Sequence, residues 1–192
     1  MRLDLHTHCR EATACASPTV DIAERIVAAV RSRGLDGIAV TEHYTSSYAY
    51  ELKALVEHHF DGNVTIIPGQ EIDRVFLGID RGVVHVVELF LPGEITFRFI
   101  AHPGHPYISD LGAFIDSSIH GIEIANPQHD HEMDQARIRE LADRHGLILL
   151  TNSDAHSLSD IGTYYNEIGL EELCSRARMP RPPGADPPDV LT

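Results

Sequence analysis

The sequence predicts an α/β fold in which parallel strands close into a barrel and carry metal-binding side chains to one end. Three observations predict it. Leu3-Asp4-Leu5-His6-Thr7-His8 reads as a short apolar strand ending in two histidines one residue apart, and because strand side chains alternate faces, both imidazoles point the same way. Four later apolar runs end in the same grammar, at Glu42-His43, Glu71, His102 and Asp154-Ala155-His156, while His85 sits inside a fifth run, Val83 to Val87. Between Leu3 and Thr41 the chain reads strand, helix, strand, the βαβ unit of a parallel sheet.

Each element follows from its residues. After His8, Cys9 to Pro18 is small and irregular and reads as a loop. Ser17 or Thr19 caps a helix whose apolar face is Ile22, Ala23, Ile26, Val27 and Val30, closed by Gly34. Gly37 to Thr41 is the second strand and delivers His43. Tyr44 to Tyr50 reads as a polar and aromatic loop, with its tyrosines at the mouth or over the rim, and Glu51 to Phe60 as a helix. Asn63 to Gly69 is a strand ending at Glu71, and Ile72 to Leu77 extends it toward a turn at Gly78 to Gly82. Val83 to Leu91 and Phe97 to Ala101 are further strands, the last delivering His102-Pro103-Gly104-His105-Pro106, a loop stiffened by two prolines. Ser109 to Ser117 reads as a short helix and Gly121 to Asn126 as a buried strand, whose Glu123 and Asn126 line the site or serve the rim. Gln128-His129-Asp130-His131-Glu132 resembles a second His-x-His signature, but it precedes a helix, Met133 to His145, whose N-terminal dipole Asp130, Glu132 and Asp134 favour, and its histidines read as loop residues that need no metal. Gly146 to Thr151 is the last clear strand.

Residues 1–175 make one domain, and 176–192, rich in proline, a tail that cannot build a core. A formal charge of −14 disfavours a surface for a nucleic-acid polymer, which needs clustered Lys and Arg. No apolar run approaches the roughly 20 residues of a bilayer span, and the N-terminus lacks a signal-peptide pattern, so a cytoplasmic location without membrane attachment is expected. Cys9, Cys15 and Cys174 have neither zinc-ribbon spacing nor an even count for a disulfide framework, and reduced thiols are expected. Oligomeric state is not encoded legibly.

Gathering the strand endings and His85 at one barrel end collects His6, His8, His43, Glu71, His85, His102, Asp154 and His156. A catalytic zinc uses about three protein ligands. Eight therefore imply two or three divalent ions, with a carboxylate such as Glu71 between them. Ions roughly 3.5–4 Å apart bind the attacking and leaving oxygens of a phosphate ester and lower the pKa of bound water toward about 7. The chemistry expected is that of a metallohydrolase using a metal-activated hydroxide.

In order and spacing, Asp4 to His8, Gly34 to His43, Gly69-Gln70-Glu71, Val84-His85-Val86, His102 to Pro106 and Asn152 to His156 resemble the PHP (polymerase and histidinol phosphatase) family, over about Met1 to Ile168. The resemblance implies a distorted (β/α)7 TIM-like barrel with a trinuclear centre of zinc, manganese or iron that hydrolyses phosphoesters. It implies one ion on His6, His8, Glu71 and Asp154, a second on Glu71, His85 and His102, and a third on His43 and His156. Family members complete the third with a His or Asp shortly after the second histidine; here that window offers Glu11 or Cys15. Arg10, Arg74 and His105 lie beside ligand motifs and are candidates for the substrate phosphate, with surface salt bridges as the alternative for the arginines. His105, Asp154 or a metal-bound water could protonate the leaving group. The substrate class expected is a small phosphorylated metabolite or nucleotide. Two alternatives stand beside it. An amidohydrolase would carry a metal-bridging lysine at a strand end, and the single lysine is Lys53 on a helix; a non-catalytic metal-binding accessory module would bind metal without turnover.

Overall fold

The computed structural model describes residues 1–60, 62–76, 82–108 and 110–179. Its order is β1 (Arg2–Asp4), α1 (Cys9–Ala12), α2 (Val20–Ser32), β2 (Gly37–Val40), α3 (Ser47–His59), β3 (Thr65–Phe76), β4 (Gly82–Leu91), β5 (Ile95–Ile100), a 3-10 turn (Leu111–Phe114), β6 (Gly121–Ala125), α4 (Gln135–His145), β7 (Ile148–Thr151), β8 (Asn166–Glu167) and α5 (Leu170–Arg178). The strands form one sheet in the order β7-β6-β5-β4-β3-β2-β1-β8. Beyond the strands, Thr7 bridges Ala155 in parallel, with His8 N–H donating to the Ala155 carbonyl at 2.9 Å and Asp154 N–H to that of His6 at 3.0 Å. This link, between segments that follow β1 and β7, nearly closes the sheet into a barrel.

The barrel is TIM-like but distorted, and its strands are not parallel throughout. β1, β2 and β3 are parallel, as are β5, β6 and β7, but β3-β4 and β4-β5 are antiparallel, and β8 lies antiparallel to β1. The links from Phe76 to Gly82 and from Leu91 to Ile95 are too short for a parallel crossover, which needs about a dozen residues. The turn expected at 78–82 falls mostly outside the described residues, apart from Gly82.

Alternation along the strands divides the core. Leu3, Ala39, Ile67, Leu89, Phe97 and Leu150 meet in one cluster, reached by Leu173 of α5. Ile38, Val40 and Ile66, one residue out of phase, pack against Ile26 and Val30 of α2 and Leu52 and Val56 of α3. Thr19 is the cap of α2, accepting from Ile22 N–H. Helix α3 starts at Ser47, before the expected Glu51, because Tyr48 and Ala49 belong to its buried face; Tyr48 is therefore core, while Tyr44 and Tyr50 are exposed. Helix α4 starts at Gln135, where the Asp134 carboxylate accepts from Ala136 and Arg137 N–H. The expected helix at 109–117 is only the 3-10 turn, and the loop after His8 holds the single turn of α1. Helix α5 runs to Arg178 with Ala177 against the core, past the expected tail boundary; residues 180–192 lie outside the described ones. Among the described residues no helix is long and apolar enough to cross a membrane.

Candidate metal centre

His6 and His8 follow β1 and are wholly buried, their Nε2 atoms 3.2 Å apart. Opposite them stands Glu71, within β3. Its Oε2 lies 3.6 Å from His6 Nε2, 3.4 Å from His8 Nε2 and 3.1 Å from His43 Nδ1. Its Oε1 lies 3.1 Å from both His85 Nδ1 and His102 Nε2. One buried carboxylate thus has ring nitrogens on both oxygens. Antiparallel pairing explains His85: it is registered against Asp73, two residues from Glu71 and so on the same face. Asp154 closes the other side, Oδ1 being 3.4 Å from His6 Nε2 and 3.1 Å from His8 Nε2.

His102 (φ +26°) and Asp154 (φ +51°) both adopt left-handed backbone, which for non-glycine residues costs roughly 1–3 kcal/mol. Their surroundings hold them there: His102 N–H donates to Glu123 Oε2 at 2.7 Å and Asp154 N–H to His6.

Tautomers are set from behind. His6 Nδ1 donates to Glu123 Oε1 at 3.0 Å, His102 Nδ1 to the His105 carbonyl at 3.0 Å, and His156 Nδ1 to the Asp154 carbonyl at 2.8 Å. Each neutral ring then turns an unprotonated Nε2 inward, toward carboxylate oxygens that are also acceptors. Asp154 Oδ1 and His8 Nδ1 are buried without hydrogen-bond partners. Such an arrangement requires positive charge between its members, and N and O donors backed by carboxylates and carbonyls fit divalent metal ions. Without ions, protons must supply the charge. Burial alone would lower the His6 imidazole, but Asp154, Glu71 and Glu123 outweigh it and push it well above its usual value. Burial likewise opposes protonation of His8, yet Asp154 and Glu71 push it up to about 9. Burial would raise Glu71 and Asp154; the surrounding imidazoles, led in each by His6, hold both well below the usual carboxylate range.

Four groupings in this region each have one ligand atom per residue within 4.8 Å of the others: His6-His8-Glu71, His6-His102-Asp154, Glu71-His85-His102, and His8-Glu11-His43-His156. In the last, half-exposed Glu11 faces His43 Nε2 with one oxygen at 3.9 Å and His156 Nε2 with the other at 3.7 Å. Cys15 is exposed and joins none of these groupings. Glu11 lies on the turn of α1, which is tied to Glu42 through Arg10 N–H donating to Glu42 Oε1 at 2.8 Å.

Of the substrate candidates, Arg10 is exposed on α1, and Arg74 pairs with Asp116 and donates to Ser118 Oγ at 3.4 Å. His105 is exposed at the rim and stacks on His129, whose Nε2 reaches to 3.8 Å from Asp154 Oδ2. His129 belongs to a His-x-His pair, His129-Asp130-His131, that the sequence reading sets aside as loop residues; the structure brings its ring beside His102, His105 and Asp154. Glu123, which the sequence leaves between lining the site with Asn126 and serving the rim, is fully buried and accepts from His6, His102 N–H, Asn126 Nδ2 and Asn152 Nδ2.

A family model described as PHP-associated matches residues 132–179, a segment that includes Asp154 and His156. Solved structures share the fold. A presumed metal-dependent phosphoesterase from Bifidobacterium adolescentis superposes with a TM-score of 0.67 at 15% identity, over 91% of this chain and 96% of its own. An amidohydrolase from Chromobacterium violaceum, solved with sulfate and no metal, gives 0.62 at 18% identity over 92% and 97%. PsfC from Pseudomonas syringae gives 0.60 at 18% identity over 91% and 87%. No curated protein matches significantly.

Proposed function

We propose that this chain, with its PHP-type barrel and PHP-associated C-terminal segment, is a metal-dependent phosphoesterase that hydrolyses a small phosphorylated metabolite or nucleotide. The observation that carries the reading is Glu71: a single buried carboxylate with imidazole nitrogens on both oxygens is placed to bridge neighbouring cations. His6, His8, Glu71 and Asp154 would hold one ion, Glu71, His85 and His102 a second, and His8 or its neighbours Glu11, His43 and His156 a third. Zinc, manganese and iron all suit this N and O donor set. Bound there, divalent ions supply Lewis-acid polarisation of a phosphoryl oxygen and a water acidified enough to attack near neutral pH.

The chain's own groups do the rest. Glu123 and the two backbone carbonyls keep the protons on the outer ring nitrogens, leaving the inner ones free to ligate. Asp154 is walled in by His6 and His8 and serves as a ligand. His105, exposed at the rim, is the candidate to protonate a leaving-group oxygen, and Arg10, exposed on α1, the candidate to meet the substrate phosphate. Arg74 is committed to Asp116 and drops out of this role. The charge of −14 leaves a small substrate, neutralised at the centre, as the class that fits.

The test is phosphate release from p-nitrophenyl phosphate, its bis ester and a nucleotide panel, after chelation and re-addition of Zn²⁺, Mn²⁺ or Fe²⁺. Turnover restored by metal and abolished in Glu71→Ala supports the reading. Hydrolysis of amides in place of phosphate esters would establish amidohydrolase chemistry on the shared fold, although Lys53 lies on α3 paired with Glu57. Tight metal binding without turnover of either would leave a non-catalytic module.

A further inference from the structure

We infer that His105, His129 and Glu132 form a separate, solvent-facing site for a transition-metal ion at the rim of the centre. Both imidazoles turn Nδ1 to one carboxylate: His129 Nδ1 is 2.8 Å and His105 Nδ1 3.2 Å from Glu132 Oε2. The rings stack at 4.3 Å and 22°, and one ligand atom from each residue lies within 4.8 Å of the others. Ligands of a tetrahedral ion at zinc-like bond lengths stand about 3.3 Å from one another, so the three residues lie within reach of one ion, which would draw the two rings out of their stack until both Nδ1 lone pairs, lying in the ring planes, converge on it.

The loops that carry the three residues are held together without an ion. Gly104, at φ +124°, lets the loop after β5 press on the 129–132 turn, where an added Cβ would come 2.4 Å from the Glu132 carbonyl. That turn is held by Glu132 N–H to the His129 carbonyl at 2.9 Å and by Asp130, which accepts from Asn126 N–H at 2.7 Å and from the Tyr164 hydroxyl at 3.0 Å. Two imidazoles and a carboxylate select zinc, cobalt or nickel over magnesium or calcium, which prefer all-oxygen cages. With three ligands and an open face, the site binds more weakly than the buried groupings. It is separate from them because His129 meets Asp154 through Nε2, the far side of its ring.

This inference stands without the phosphoesterase reading, since its measure is a count of ions. The chelator-stripped full chain is dialysed against a series of free Zn²⁺ concentrations, beside Glu132→Ala and His105→Ala. We expect the wild type to take up one more weakly bound ion than either variant, with the tightly bound ions retained in all three. Equal counts overturn the site. Should a variant fail to fold, the wild type decides: with the tight sites filled, the imidazole ¹⁵N signals of His105 and His129 must move together over the weak step. A weak step that leaves both signals in place overturns the site as well.

Discussion

Glu123 Oε1 accepts the Nδ1–H of His6 at 3.0 Å with both side chains wholly buried, and the same oxygen accepts from Asn152 Nδ2 at 2.8 Å. Its other oxygen accepts from His102 N–H and Asn126 Nδ2. Every lone-pair direction of this carboxylate meets a donor. In Glu123→Gln the amide nitrogen must face two donors whichever way it turns. The substitution should destabilise the chain by about 1–3 kcal/mol, read by chemical denaturation, and weaken metal binding by about 10–100-fold, read by competition with a chelator dye. Unchanged affinity would mean that His6 needs no backing.

Glu71 serves more than one grouping, whereas His85 serves one. Glu71→Ala should therefore lose more than one bound ion per chain, and His85→Ala at most one, as counted by elemental analysis. Chelation should also lower the melting temperature of the wild type, since ions at about 1,000 times their dissociation constant contribute about 4 kcal/mol. A melting temperature indifferent to chelator would separate the cluster from metal binding.

Cys9 is buried and its thiol is pushed up by burial, while Cys15 is exposed. A thiol reagent should modify Cys15 in the native chain and spare Cys9 until unfolding, resolved by peptide mass spectrometry. Because Glu11 and not Cys15 joins His43 and His156, saturating metal should leave the rate at Cys15 unchanged. Protection by metal would move the third site to sulfur.

Burial would raise the Asp116 carboxyl, but hydrogen bonds from Ser118 and Arg74 overcome it and hold it below its usual value. A group depressed in the folded state adds stability above its unfolded pKa and loses it as pH falls through the folded one. The stability difference between the wild type and Asp116→Asn should therefore be largest at neutral pH and shrink under acid, followed by denaturant titration from pH 7 downward. A difference independent of pH would assign the loss to packing.

What could be read from the residues depended on whether their meaning was local. His6 and His8 announce themselves because alternation along one strand aims them together. The apolar runs around His85 and His102 were equally clear, but an apolar run carries no direction, so the antiparallel turn from β3 through β5 was hidden in link lengths. Glu123 looked ambiguous because burial of a charge is decided by donors just beyond the ends of β1, β5, β6 and β7. Its flanking Ile122 and Ile124 showed only that the strand was buried. The His-x-His pair at His129 and His131 was visible but had no strand behind it, and His129 acquires its place from two loops pressed together at Gly104, a contact that local sequence does not record. Strand β8, two residues long, is defined by pairing with β1 alone.

The bridge between Thr7 and Ala155 gives the chain a timetable. His6 and His8 leave the ribosome early, and Asp154 and His156 follow about 150 residues later, roughly ten seconds or more at usual elongation rates. Until then the first histidines lack half their partners. The binding free energy of ions shared across that bridge can enter folding only at its last long-range step, so metal supply should favour completion of the barrel over its partly made forms.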